Sequence, residues 1–251
     1  MPSRGRESIK ALALANDEGP LAGATTDTVV FSQLNGFVQQ AKHLKPHSNQ
    51  DSNPMLSHIL VVENTTRTAA QSFAQLLDKE QNKTDSELPK GTPRLVRQLD
   101  LIARTISKEI GPQIFKVELG SFDTHANQVN RHASLMAQFA QAIEHFEKSL
   151  SASGHWNDVL VMTYSEFGRR ASENGSGGTD HGAAAPHFML GGAVKGGLSG
   201  QAPDLANLVN GDISFTTDFR QLYSTVSRNW FGQRVKDTPY AEYSTLPVLR
   251  S

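Results

Sequence analysis

Cysteine is absent from all 251 residues. That excludes disulfides, thiolate metal ligands and a cysteine nucleophile, and it leaves the compartment undecided. Long apolar runs are missing as well. None could span a bilayer, so no membrane partner is expected. The basic start, Met1-Pro2-Ser3-Arg4-Gly5-Arg6-Glu7, is followed by no apolar segment of a signal peptide. As written the chain reads as cytoplasmic; a longer precursor with an export signal would make it periplasmic or secreted. No charge of one sign dominates either. Lys and Arg number 24 and Asp and Glu 25, which removes the electrostatic argument for nucleic acid as a partner. There is no internal repeat and no low-complexity tract. What is present, 37% hydrophobic and 20% charged residues, suits one soluble globular domain or most of one.

The two halves of the chain differ. Residues 1–54 read as an irregular or weakly helical segment, with a short helix expected over 31–44 and a polar linker over 45–54. Helices are expected over 55–81 and 93–110, the second opened by Pro93 and stopped by Gly111-Pro112. Beyond Pro112 the pattern becomes strand, helix, strand. The β-prone run 114–119 is followed by a helix over 127–151 marked by Leu135, Phe139, Ile143, Phe146 and Leu150. A strand over 158–163, apolar enough to be buried on both faces, precedes another over 187–190, and a helix over 218–231 opens on Thr216-Thr217-Asp218. The alternation predicts an α/β domain over 55–251, with a mostly parallel sheet flanked by helices.

Three polar motifs follow apolar stretches: Ser121-Phe122-Asp123-Thr124-His125, Ser165-Glu166-Phe167-Gly168-Arg169 and Gly178-Thr179-Asp180-His181-Gly182. Carboxylates and imidazoles at strand ends are what a divalent-metal site on an α/β sheet requires. Asp123 and His125 are close enough to converge on one ion, or else Asp123 or Thr124 caps the next helix and His125 lies exposed on its first turn. Glu166 either binds metal or pairs with Arg169 and Arg170, while Arg169 suits bidentate binding of an anionic group. Asp180-His181 is a poor core sequence, and its flanking glycines permit close approach of a ligand. The Gly175-Ser176-Gly177-Gly178 stretch reads as a mobile loop more readily than as an anion cradle. His187 is a weaker addition to the set.

The stretches GSFDTHANQ, SEFGRRASENGSGGTDHGAAAPHFMLGGAVKGG and TTDFRQLYSTVSRNWFG resemble an uncharacterised bacterial family, domain of unknown function 1501, of the alkaline-phosphatase/sulfatase superfamily. The resemblance covers well over half the chain. It implies an alkaline-phosphatase-like parallel sheet with one or two metal ions at the strand ends, and attack by a Ser or Thr on phosphate or sulfate esters. By that resemblance Asp123 and His125 are a ligand pair, Glu166 stands where a second pair follows a strand, and His181 is the late histidine. Phe167 occupies the place of the second pair's histidine. The superfamily's first strand, with an early Asp and the nucleophile, has no counterpart before Met55. The chain is therefore expected to be the carboxyl-terminal portion of a longer member, or a shortened copy.

These readings combine into a hydrolase-like protein holding a divalent ion (Zn, Mn, Ca or Mg) through Asp123, His125, Asp180 and His181. Glu166 is a further ligand or base, and Arg169 holds a small anionic ester. The alternatives are a non-catalytic binding protein and an inactive truncated product. Oligomeric state is not legible.

Overall fold

The computed structural model describes residues 10–14, 27–30, 34–46, 53–78, 88–109, 112–237 and 240–250. Its chain divides into two compact units, one of Met1–Gly120 and Ala137–Ser153, the other of Ser121–Met136 and Gly154–Ser251.

The first unit holds strands β1 (Lys10–Leu14), β2 (Asp27–Val30) and β3 (Ile114–Val117), helices α1 (Leu34–Ala41), α2 (Pro54–Asp78) and α3 (Arg94–Ser107), and the later part of α4 (Gln128–Ala152). The strands form a small parallel sheet in the order β2-β1-β3, with Leu12 opposite both Val29 and Phe115. The core is helical. Along α3, Leu95, Val96, Leu99, Ile102 and Ala103 are buried, the spacing that places apolar side chains on one helical face. Ala142, Phe146 and Leu150 repeat every fourth residue on α4 and are equally buried. Pro93 is the residue before α3, with an extended ψ of 146°, rather than its first helical position.

The second unit contains the start of α4, the short strands β4 (Val161–Met162), β5 (Gly168–Glu173), β6 (Thr179–Gly182) and β7 (Met189–Leu190), and helix α5 (Phe219–Thr225), which runs into a π turn over Val226–Trp230. Asp218 caps α5 with the reciprocal Gln221 contact of a capping box. Its fully buried side chains are hydroxyls: Thr124, Ser224 and Thr225. Each is hydrogen-bonded, as burial demands. Ser224 donates to the Tyr243 carbonyl at 2.9 Å, and the Thr225 hydroxyl accepts from the Leu246 amide at 2.8 Å, so the chain's last segment is laid onto α5.

Several expectations are corrected. A mostly parallel, alkaline-phosphatase-like sheet is not formed: no extended parallel sheet exists among the described residues, and the motif-bearing strands pair antiparallel, β4 with β7 and β5 with β6. The reason is the connections. Parallel neighbours need a crossover of a dozen or more residues, usually a helix. Only five residues separate β5 from β6, and between β4 and β7 lies that hairpin and no helix. The strand expected over 158–163 is reduced to Val161–Met162, half-buried, after a 3-10 turn at Trp156–Asp158. Two strands, β1 and β2, lie within the segment read as irregular. The polar linker expected over 45–54 falls largely outside the described residues. No helix among the described residues is long and apolar enough to cross a membrane.

Candidate metal centre

The loop after β3 is bracketed by two residues of left-handed conformation, Ser121 (φ 72°) and Asn127 (φ 47°). Asn tolerates that region through its short polar side chain; Ser does so less readily. Between them Thr124 turns inward. Its amide and hydroxyl both donate to the Phe122 carbonyl, at 2.9 and 3.3 Å, in a tight three-residue turn. With Thr124 fully buried, Asp123 and His125 on either side of it are turned out to solvent.

The second element is the β5–β6 hairpin, in which Arg169 is paired with His181. Its turn is tied to the start of α4, where the Asn127 and Gln128 amides donate to the Ser176 and Gly177 carbonyls at 3.2 and 2.9 Å. This satisfies backbone donors that a helix start leaves without an intrahelical acceptor. Gly182, next to His181, is required sterically: a Cβ there would stand 2.6 Å from the Arg169 carbonyl carbon and from Asp212 Oδ1.

Loop and hairpin meet at one oxygen. Asp123 Oδ1 lies 2.8 Å from His181 Nε2 and 2.9 Å from His125 Nε2. The three side chains can each offer one ligand atom within 4.8 Å of the others. Arg169 Nη2 stands 3.7 Å from the same oxygen, while its guanidinium donates to the Phe122 carbonyl at 2.6 Å and to the Thr179 carbonyl. Arg169 thus ties the loop to the hairpin. The hydrogen bond from His181 is the largest cause holding the Asp123 carboxyl below the usual carboxylate range; desolvation opposes it, and the charges of His125, His181 and Arg169 add to the lowering. Phe167 stacks flat on His181, with ring centres 3.8 Å apart and planes at 4°, and the Arg169 guanidinium lies over the Phe167 ring, 5.0 Å from its centre.

Of the residues singled out in the sequence, Asp123, His125 and His181 therefore come together. Asp180 does not join the three; its Oδ1 faces the other nitrogen of His125, Nδ1, at 3.5 Å. Glu166 is exposed in the turn before β5 and lies outside the convergence. His187 sits at the β4–β7 pairing, 3.5 Å from the Thr163 hydroxyl. Asn174 and Phe167 were not foreseen as site residues. The Asn174-Gly175 pair, a strong hairpin signal, could have located the first. For Phe167 the sequence carried no signal beyond its place in the motif.

No curated protein and no solved structure matches this chain. A family model does, over residues 9–231, which include Asp123, His125 and His181. The chain belongs to the family described as protein of unknown function, DUF1501.

Proposed function

We propose that this protein binds a divalent transition-metal ion through Asp123, His125 and His181, at a site suited to hydrolysis of a small anionic ester. The observation that carries the reading is the convergence of one carboxylate and two imidazoles within 4.8 Å. The donor set fits such an ion. Ligand atoms of a tetrahedral site with bonds of about 2.0–2.1 Å lie roughly 3.3 Å apart, so Asp123 need part from each histidine by only about half an ångström. Two imidazoles favour zinc over calcium, magnesium or manganese, which suit oxygen ligands. Bound there, the ion would supply Lewis-acid polarisation of an ester oxygen and activation of a nucleophile. The chain's own residues do the rest. Arg169, held by two backbone carbonyls, keeps its charge beside the site and has N–H donors left for an anionic group. Glu166, exposed one residue before Phe167, is the carboxylate available as a base. Phe167 fixes the plane of His181.

A second reading, metal binding without ester turnover, is favoured by the neighbouring hydroxyls. Thr124 is buried on the Phe122 carbonyl, Thr179 donates to Gln128, Ser165 donates to the Phe167 carbonyl, and Thr163 accepts from the Phe188 amide. Covalent catalysis needs an activated nucleophile beside the ion. Equilibrium dialysis of chelator-stripped protein against Zn²⁺ tests the shared part: one ion per chain is expected, and equal binding by His181→Ala would sink both readings. Turnover of generic phosphate and sulfate esters separates them. Rates no faster than a metal-ion control select the second reading; rates that vanish in Asp123→Ala select the first. In the latter case Ser121→Ala distinguishes a hydroxyl nucleophile from water, because among the described residues no hydrogen bond engages the Ser121 hydroxyl.

A further inference from the structure

We infer that Asp180 is the carboxylate that orients His125 for the ion rather than a ligand itself, and that Asn174 is the clamp that holds Asp180 in place. This rests on the metal-binding reading above.

The geometry divides the two nitrogens of His125 between two carboxylates. Nε2 faces Asp123 Oδ1 at 2.9 Å, on the side where His181 also arrives, and Nδ1 faces Asp180 Oδ1 at 3.5 Å. A neutral imidazole has one N–H and one lone pair, and only the lone-pair nitrogen can bind metal. An ionised carboxylate accepts hydrogen bonds and donates none, so without an ion both nitrogens of His125 face an acceptor, Nε2 toward Asp123 and Nδ1 toward Asp180. An ion held between Asp123 and His181 would take the Nε2 position, and Asp180 then keeps the remaining proton on Nδ1. Histidines that bind metal usually donate their other N–H in this way, which fixes the ring and raises its basicity.

Asp180 is itself held. The Asn174 amide nitrogen donates to Asp180 Oδ1 at 3.4 Å and to the His125 carbonyl at 3.0 Å. The amide oxygen of the same side chain accepts from the Ser176 and Gly178 amides, at 2.9 and 3.1 Å. One side chain therefore closes the hairpin turn and joins it to both ends of the Asp180–His125 contact. The turn is pressed against this point: a Cβ on Gly178 would lie 2.5 Å from the His125 carbonyl carbon. The stretch that reads as a mobile glycine loop is thus a fitted brace behind one ligand.

The test is Zn²⁺ titration calorimetry on chelator-stripped wild type, Asp180→Ala, Asp180→Asn and His181→Ala, with ¹⁵N NMR of the zinc-loaded wild type. Asp180→Ala is expected to weaken binding about 10- to 100-fold, the usual effect of losing such a partner. Asp180→Asn should recover most of it, since an amide oxygen can accept the same N–H. The spectrum should show His125 protonated at Nδ1 and bound to metal through Nε2. Asp180→Asn as damaging as Asp180→Ala would make Asp180 a ligand and overturn the inference. So would Asp180→Ala within twofold of wild type, or a metal bound through Nδ1 of His125. Binding that is absent in wild type, or unchanged in His181→Ala, would instead remove the metal-binding reading and this inference with it.

Discussion

Two aspartates of this protein each gather a histidine and an arginine, with opposite results. In the first unit, Asp100 of α3 meets His145 Nε2 of α4 at 2.9 Å and Arg104 Nε at 3.0 Å. In the second, Asp123 meets His125, His181 and Arg169. The Asp100 side chain is 12% exposed, that of Asp123 62%. Helices fix the first set from opposite sides, and burial pushes the Arg104 guanidinium below its ordinary value. A buried charge must be paired, so the Asp100–His145 contact ties α3 to α4. The second set sits on a loop and a hairpin with its carboxylate open to water, where exposed pairs contribute little stability. The same residue types lock the fold in one place and leave lone pairs for chemistry in the other. Burial makes the difference.

The largest expected effect tests that contrast directly. Asp100→Ala strands Arg104 and His145, and should lower the unfolding free energy by about 3 kcal/mol, the low end for a broken buried pair. Metal-free Asp123→Ala should leave the midpoint close to that of wild type, as surface changes do. Urea midpoints measure both, and equal losses would erase the distinction.

Next comes the ion. Zn²⁺ or Mn²⁺ at about a hundred times its dissociation constant should stabilise chelator-stripped protein by about 2.7 kcal/mol, read as a rise in melting temperature. His181→Ala should remove most of the rise and Asp100→Ala should keep it. A rise lost in Asp100→Ala but kept in His181→Ala would reverse the roles assigned to the two groups.

A third aspartate sharpens the comparison. Asp218 caps α5 and pairs with Arg220, whose hydrogen bonds lower its pKa to about 2. Because the folded-state pKa lies below the ordinary value near ~3.9, its stabilisation is complete above that value and is lost as pH falls toward about 2. Asp218→Ala should destabilise the protein at neutral pH, as lost caps do. Below the folded pKa, acid denaturation curves of variant and wild type should approach one another; a gap that persists unchanged there would mean that packing rather than charge carries the contribution.

The smallest effect is at Asp123. Its carboxyl is depressed chiefly by the His181 hydrogen bond, so its NMR titration midpoint should lie below the ordinary carboxylate value and move back toward it in His181→Ala. Its contribution to stability has the same sign as that of Asp218, present above the ordinary value and lost as pH falls through the folded one. No movement of the midpoint in His181→Ala would show that the contact does not persist in solution.

Helices were legible because their signals are local and repeated. The spacing of Leu135, Phe146 and Leu150 marks α4, and Thr216-Thr217-Asp218 marks the start of α5. Residues 10–14, Lys-Ala-Leu-Ala-Leu, form a strand too short to outweigh the small and polar residues around it, and its pairing with β2 and β3 is set at a distance. Pairing direction in the second unit was misread for a related reason: a run of apolar residues says strand, while the connection decides parallel or antiparallel.

The residues of the candidate site were likewise readable as types. Asp123, His125 and His181 stand in motifs whose composition serves neither a core nor a charged helix face, and nothing but residue identity and near spacing was needed to suspect them. The sequence alone also determined the absence of thiol chemistry and the near balance of charge. Which carboxylates reach the same point was decided only in three dimensions. Asp123 and His181 are 58 positions apart and end 2.8 Å from each other, while Asp180, next to His181 in the chain, faces a different nitrogen. Asn174, placed by a hairpin turn, braces that arrangement. Ligand geometry depends on the direction of each side chain, and direction follows from turns, pairing and close packing that no spacing of residue types encodes.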